Sequence, residues 1–402
     1  MTDSSADPRP AAGTEAGRLR LHSHERRAVG ALAGIYAVRM LGLFLLFPVL
    51  ALYGRGLPGA TPLLAGLAVG AYGLTQAVLQ IPFGSASDRL GRRPVIAVGL
   101  VLYAAGSLMG SVATSIWGVI AARMVQGAGA VSGPVTALLA DLTRAGIRTR
   151  AMALIGISIG ASFIVSLIAG PLLAAAIGVP GIFLIMAGLA VLALILLYGI
   201  VPTPPPPAGR ASGSGLAAAM RADLIPYYLG ILALSAVLSA TFVGVPYALH
   251  DALGIAMSDH WRTYLGVFLV SIPPTVVLVF WTERSSAPDL VMRVSIALLM
   301  ISLAATGFVY GHYWPLCGAL AAFFTAFNYL EARLPARLSQ AAQPEVRGAA
   351  LSVFATAQFL GSFVGATAAG WLSGGRLGLV GVFGAASLLT LGWLLLYRSR
   401  PA

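Results

Sequence analysis

The sequence predicts an all-α membrane protein of twelve transmembrane helices in two pseudo-symmetric six-helix bundles, with both termini in the cytoplasm. Three observations carry this. Hydrophobic residues make up 58% of the 402 and charged residues only 9%, against about 25% charged in an ordinary soluble protein. The apolar runs are long enough, since one bilayer crossing takes roughly 20 apolar residues. The basic residues fall between those runs rather than gathering on one stretch.

Residues 1–28 are polar, rich in Ala, Gly, Pro and Arg, and lack an apolar period; they are expected to form a disordered cytoplasmic tail. The first bundle occupies 29–201, with crossings at 29–52, 62–84, 94–114, 116–141, 151–175 and 179–201. A cytoplasmic linker, Pro-rich and then Gly/Ser-rich, follows at 202–222. The second bundle takes 223–398, with crossings at 224–249, 262–282, 290–310, 312–338, 348–372 and 377–397. Two runs are too long for one crossing each. Ala151 to Gly209 carries no charge over 59 residues and divides at the turn Gly178-Val-Pro-Gly181, while Val294 to Leu330 divides at Gly311-His-Tyr-Trp-Pro315.

Orientation follows from the arginines, because cytoplasmic loops hold the excess of basic residues. With the N-terminus inside, twenty arginines lie in cytoplasmic segments and only Arg55, Arg262 and Arg376 in outer ones; Arg39 and Arg123 lie within crossings. The net charge of +12 is thus a topology signal, and no nucleic-acid partner is expected. All 25 basic residues are Arg. A chain without Lys cannot build a P-loop or hold a cofactor as a Schiff base, and the single Cys317 excludes an internal disulfide or a cysteine metal cluster. No cofactor, no resident metal and no enzymatic activity are expected. Gly156-Ile-Ser158-Ile-Gly160 spells a hydrolase motif, but it lies in mid-helix with no strand before it and reads as a small-residue packing face.

The linker halves the chain, and the halves share landmarks. Asp88-Arg89 and Glu283-Arg284 are 195 apart; Arg150-Ala-Met-Ala-Leu154 and Arg347-Gly-Ala-Ala-Leu351 are 197 apart. Parallel six-helix repeats imply rocking of one half against the other about a site near the midplane.

The segment Gly84-Ser-Ala-Ser-Asp88-Arg89-Leu-Gly91-Arg92-Arg93 carries the most information. Asp88 suits the positive end of a neighbouring helix, Gly84 a close helix approach and Gly91 a tight turn. The segment resembles the loop between the second and third helices of the major facilitator superfamily, G-x-x-x-D-R-x-G-R-R/K. Ile120-Ala-Ala-Arg123-Met-Val-Gln126-Gly127-Ala-Gly129 resembles the fourth-helix motif of the same family. Arg39-Met-Leu-Gly, Tyr72-Gly-Leu-Thr-Gln-Ala77 and Phe327-Asn-Tyr-Leu-Glu331 resemble its bacterial YajR-like branch. The resemblance implies a proton-coupled secondary transporter in the bacterial inner membrane, most simply a monomer, whose partners are the lipid bilayer, protons and a small organic substrate that it exports. It implies further that Asp88 faces the eleventh helix, that Arg92 reaches Asp141, and that this cluster with Arg89 and Arg93 locks an outward-open state. It assigns Arg123 to proton coupling.

Arg39 lies ten residues into the first crossing, about 15 Å deep. A permanently charged group there can hold an anionic substrate or act on a nearby carboxylate. Glu331 of the tenth crossing is the expected carboxylate, with Asn328 three residues before it on the same face; bridging from Glu331 to Arg333 or Arg337 is the alternative. An Arg does not change charge near neutral pH, so the moving proton must sit on Glu331, Asp88, Asp141, His250, Asp251, Asp259 or His260. Tyr72, Gln76 and Gln80 form one polar stripe at helical spacing, which either lines a substrate cavity together with Tyr36, Gln126 and Asn328 or bonds helices together. Gly170-Pro171 matches part of an antiporter motif, with Ala174 and Ala175 where glycines are usual. Copper uptake is the competing function, because a related branch uses Met and His pairs near the seventh and eighth helices; here Met257 stands three before His260, and no two Met are four apart.

Overall fold

The computed structural model describes residues 23–202, 214–343 and 346–397. The tail up to residue 22, linker residues 203–213 and the closing residues 398–402 lie outside the described residues. Among the described residues the chain is all helix and turn, with no strand. The first half holds α1 (Ser23–Leu45), α2 (Leu50–Arg55), α3 (Pro62–Leu90), α4 (Arg92–Ser111), α5 (Ile116–Ala128), α6 (Ser132–Asp141) and α7 (Ala145–Gly199). After the short α8 (Ser214–Ala219) come α9 (Ile225–Tyr247), α10 (His260–Arg284), α11 (Pro288–Val309), α12 (Tyr313–Ala341), α13 (Arg347–Ser373) and α14 (Gly378–Leu396).

Nine helices among the described residues are long and apolar enough to cross a membrane, by length and composition. One of them spans 50 residues, and α7 breaks where expected, at Gly178, whose φ of 72° only glycine adopts readily. The fourth expected crossing is split into α5 and α6, and the tenth is α12. Apolar side chains such as Ile195, Val277, Leu388 and Leu395 stand exposed on the outside of the bundle, as a lipid-facing surface requires.

Three local departures from the sequence expectation have local causes. Helix α1 starts at Ser23, inside the expected disordered tail, because buried Glu25 accepts bonds from the backbone N–H of Arg144 (3.3 Å) and from its guanidinium (2.8 and 2.9 Å). That carboxylate holds the Arg144 guanidinium above its ordinary pKa. The first crossing breaks between α1 and α2 at Pro48, which has no N–H to donate and disfavours helix at Phe47. The fourth crossing breaks at Gly129, where a Cβ would run into the backbone carbonyl of Gly99.

Each half is assembled the same way. In the first, α1 lies along α7, with the hydroxyls of Ser162 and Ser166 donating to the carbonyls of Ala37 and Leu41, each at 3.0 Å. In the second, α9 lies along α13, where Gly361 and Gly365 pack on the backbone of Leu232 and Ala236. Small residues allow this close approach, and packing, not water, must hold helices together in lipid. Between the halves, α3 runs against α13.

Candidate functional site

The buried centre of the first half is a network around two arginines. Arg39, 3% exposed, donates from Nη2 to the Tyr72 hydroxyl (2.6 Å), to Gln76 Oε1 (2.8 Å) and to the carbonyl of Gly129 (3.5 Å), freed by the α5–α6 break. Gln76 donates in turn to Gln80 Oε1 (3.2 Å) and Ser132 Oγ (3.4 Å). Arg123, 0% exposed, donates to Gln126 Oε1 (2.9 Å), and Gln126 donates to Ser107 Oγ (2.8 Å). The Arg123 guanidinium lies 4.9 Å from the Tyr72 ring centroid, so Tyr72 stands between the two cations. The Nε and Nη1 atoms of Arg39, the Nε and Nη2 atoms of Arg123 and the hydroxyl of Tyr103 are buried without a partner.

This corrects two sequence expectations. In this structure the stripe Tyr72, Gln76 and Gln80, with Gln126, is buried and bonds helices together around the arginines rather than lining an open cavity. Tyr36 and Asn328 are half-buried. The second correction concerns Glu331, which is bonded neither to Arg39 nor to Arg333 or Arg337. Its Oε1 accepts from Gln358 Nε2 on α13 at 2.8 Å, and its Oε2 is buried without a partner. Arg337 instead pairs with Asp289 at 2.6 Å. The reason is topological: Arg39 is held within the first half and Glu331 within the second.

The loop segment forms a compact cluster at the Leu90 end of α3. Arg92 pairs with Asp88, with Asp141 Oδ2 at 3.1 Å and with Ser87 Oγ at 2.7 Å. Arg93 donates to the carbonyls of Leu197 (2.8 Å) and Val201 (2.6 Å) at the end of α7, while Arg89 is exposed. Gly91 turns the chain from α3 into α4 at φ 95°. Gly91→Ala is therefore expected to cost about 1–2 kcal/mol of stability, read as a lower melting temperature; an unchanged melt would contradict the strained turn. Gly84 meets no described atom within 4 Å of a Cβ position, so the close helix approach expected of that glycine is not made here.

At the Pro62 end of α3 the halves are in tight contact. A Cβ on Gly66 would lie 2.7 Å from Gly370 Cα, and one on Gly70 2.8 Å from the carbonyl of Phe363. Arg55 makes a two-pronged ion pair with Asp251, at 2.5 and 2.9 Å, and lies 4.8 Å from the Tyr247 ring. The Asp251 bond raises the Arg55 pKa above its ordinary value. The Tyr247 hydroxyl donates to the Ala51 carbonyl at 3.1 Å. Beneath this, Phe47 and Phe163 of the first half meet Phe242, Phe268 and Phe324 of the second, with ring centroids 5.5 to 6.5 Å apart. These closures follow the repeat. Arg55 and Asp251 are 196 apart, as are Ala51 and Tyr247. Tyr72 and Phe268, and Phe163 and Phe359, keep the same spacing, and the ring pairs Tyr72–Phe359 and Phe163–Phe268 lie at 6.4 and 6.0 Å.

Sequence reasoning missed Gln358, the Gly129 break and the Arg55–Asp251 pair. The repeat offset was the available signal for the last, since it sets opposite charges at equivalent positions. His260, the metal candidate, is buried with its Nε2 against the Ile255 carbonyl at 3.1 Å. Among the described residues no three His, Cys, Asp or Glu side chains gather as a metal site.

The comparisons with known proteins agree with this architecture. A family model described as Major Facilitator Superfamily matches residues 32–282. The inner membrane transport protein YajR of Escherichia coli (strain K12) is 38% identical over 375 residues, covering 92% of this chain and 82% of YajR. Among solved structures, the xylose transporter XylE from E. coli, in a partially occluded inward open conformation, matches with a TM-score of 0.71 at 14% identity, covering 93% of this chain and 97% of XylE. A bacterial homolog of the human lysosomal transporter Spinster, inward-facing and unoccupied, matches at 0.69 and 14%, covering 94% and 95%. The motif loop, the twin halves and these likenesses together make the chain a multi-pass membrane transporter that belongs to the major facilitator superfamily, on its YajR-like branch.

Proposed function

We propose that the protein is a proton-coupled secondary active transporter of the bacterial inner membrane, a monomer with twelve crossings that exports a small organic compound by alternating access. The arginine distribution supports a cytoplasmic Leu90 end of α3. On that orientation the tight contact at the outer end of the α3–α13 seam and the open space beside Gly84 support an inward-facing reading.

The observation that carries proton coupling is Glu331. Of the groups able to change charge, Asp88 and Asp141 are bonded to Arg92, Asp251 to Arg55, and Asp259 to Arg262. His250 is bonded to Asp251, and the His260 ring, at the first residue of α10, is bonded through Nε2 to a backbone carbonyl with its Nδ1 buried without a partner. Glu331 alone among them combines a place inside a crossing, ten residues or about 15 Å from the Ala341 end of α12, with a buried, unpartnered carboxylate oxygen. Protonation there removes a charge from the lipid-embedded core, so it biases which state the two halves adopt. The partial antiporter motif at Gly170-Pro171, where Gly170 packs on the Leu45 carbonyl, supports exchange of proton for substrate. The test is flux from proteoliposomes of a compound first found by a thermal-shift screen. Efflux is expected to accelerate when an inward proton gradient is imposed; efflux indifferent to the gradient would overturn the coupling.

A further inference from the structure

The two buried arginines have donors to spare and, among the described residues, no carboxylate bonded to either. Four guanidinium nitrogens and the Tyr103 hydroxyl point at nothing within hydrogen-bond distance. An unpaired charge buried in a low-dielectric core is among the costliest arrangements a protein can hold. Packing alone does not call for it, because the repeat leaves the second half without it. With the offset of 196, the positions equivalent to Arg39, Arg123 and Tyr72 are Ser235, Ala319 and Phe268. The architecture is symmetric and the buried cations are not.

The glycine at position 42 lets a donor into the cluster. The Tyr103 hydroxyl packs against Gly42, where a Cβ would collide with it, and is buried there without a partner. Tyr72, which accepts from Arg39 and faces Arg123, touches the second half through Phe359 at 6.4 Å. Movement of the α3–α13 seam therefore acts directly on the group that lies between the cations.

We infer that Arg39, Arg123 and Tyr103 form a carboxylate site, and that the transported compound is an organic monocarboxylate held there by its anionic end. The guanidinium is suited to this, since it presents a fork of N–H donors that matches carboxylate geometry. This rests on the transporter reading but not on its proton coupling, so the experiment is done at equilibrium with no gradient. The full chain, purified in detergent at neutral pH, is titrated with acetate, benzoate and octanoate, with their amides, and separately with chloride. At least one acid is expected to bind more than tenfold tighter than its amide. That preference is expected to fall more than tenfold in Arg39→Gln and in Arg123→Gln, and several-fold in Tyr103→Phe, which keeps the ring and serves if an arginine variant does not fold. Equal binding of acid and amide overturns the site, as does acid binding that all three substitutions leave intact. Binding of chloride alone would make it an inorganic anion site and overturn the substrate class. Each failure leaves Glu331 and flux driven by a gradient untouched.

Discussion

Gly66→Val is expected to abolish transport in a protein that still folds, by holding the outer end of the α3–α13 seam open. A Cβ on Gly66 already stands 2.7 Å from Gly370 Cα, well inside van der Waals contact, and valine adds two methyls beyond it. Side chains cannot relieve this, since the obstacle is backbone. The halves must separate at that end or α3 must bend. Separation is the cheaper route, because an alternating-access protein has a state in which this seam is parted. The matching substitution at the other end, Gly84→Val, meets no described atom here and is expected to favour the present arrangement by blocking closure around Gly84. Both variants should lose flux, and their conformations should differ. Cysteine accessibility in a Cys317→Ser background reads this out: a cysteine at Thr367, whose hydroxyl is buried in the seam beside Gly70, becomes reactive in Gly66→Val and stays shielded in Gly84→Val. The same accessibility in both would show that the seam does not open.

The second large effect is at the proposed proton site. Glu331→Gln keeps the shape and the bonding partner Gln358 but fixes the position as neutral. It is expected to abolish flux driven by a proton gradient while leaving expression and thermal stability close to wild type. Removal of a buried charge with an unpartnered oxygen is not expected to destabilise the core, whereas a purely structural carboxylate should show a lower melting temperature. Unchanged coupling in Glu331→Gln would remove it from the mechanism.

The fold was legible because lipid imposes simple rules. Low charge, long apolar runs and arginines between them were sufficient for a helical membrane bundle, and Gly178 ended one run where a turn residue was expected. The loop from Gly84 to Arg93 was legible as well, because its chemistry is local: Arg92 lies four residues from Asp88, just past the Gly91 turn, and reaches Asp141 at the end of α6. The partners of Arg39 and Glu331 were not. Depth in a crossing is readable from residue counts, but the direction a side chain faces depends on helix rotation, which is set by packing. Arg39 turned to Tyr72, Gln76 and the Gly129 carbonyl, and Glu331 turned to Gln358, 27 residues away on α13. Breaks such as Gly129 were hidden too, because a glycine inside an apolar run reads equally as a packing residue. The state of the seam leaves no trace in sequence, since both states must be encoded by the same glycines.

The most direct test is the response of the two ends of the seam to pH. Spin labels are placed at one pair of sites flanking Pro62 and Ser373 and at another flanking Leu90 and Arg347, and both distance distributions are measured across a range of pH in lipid. Wild type is expected to shift between a state short at the first pair, as the Pro62 end is in this structure, and long at the second, and its converse, with Glu331→Gln holding one distribution at every pH. Distributions in wild type that do not move with pH, or that move equally in Glu331→Gln, would contradict a proton on Glu331 as the driver of alternating access.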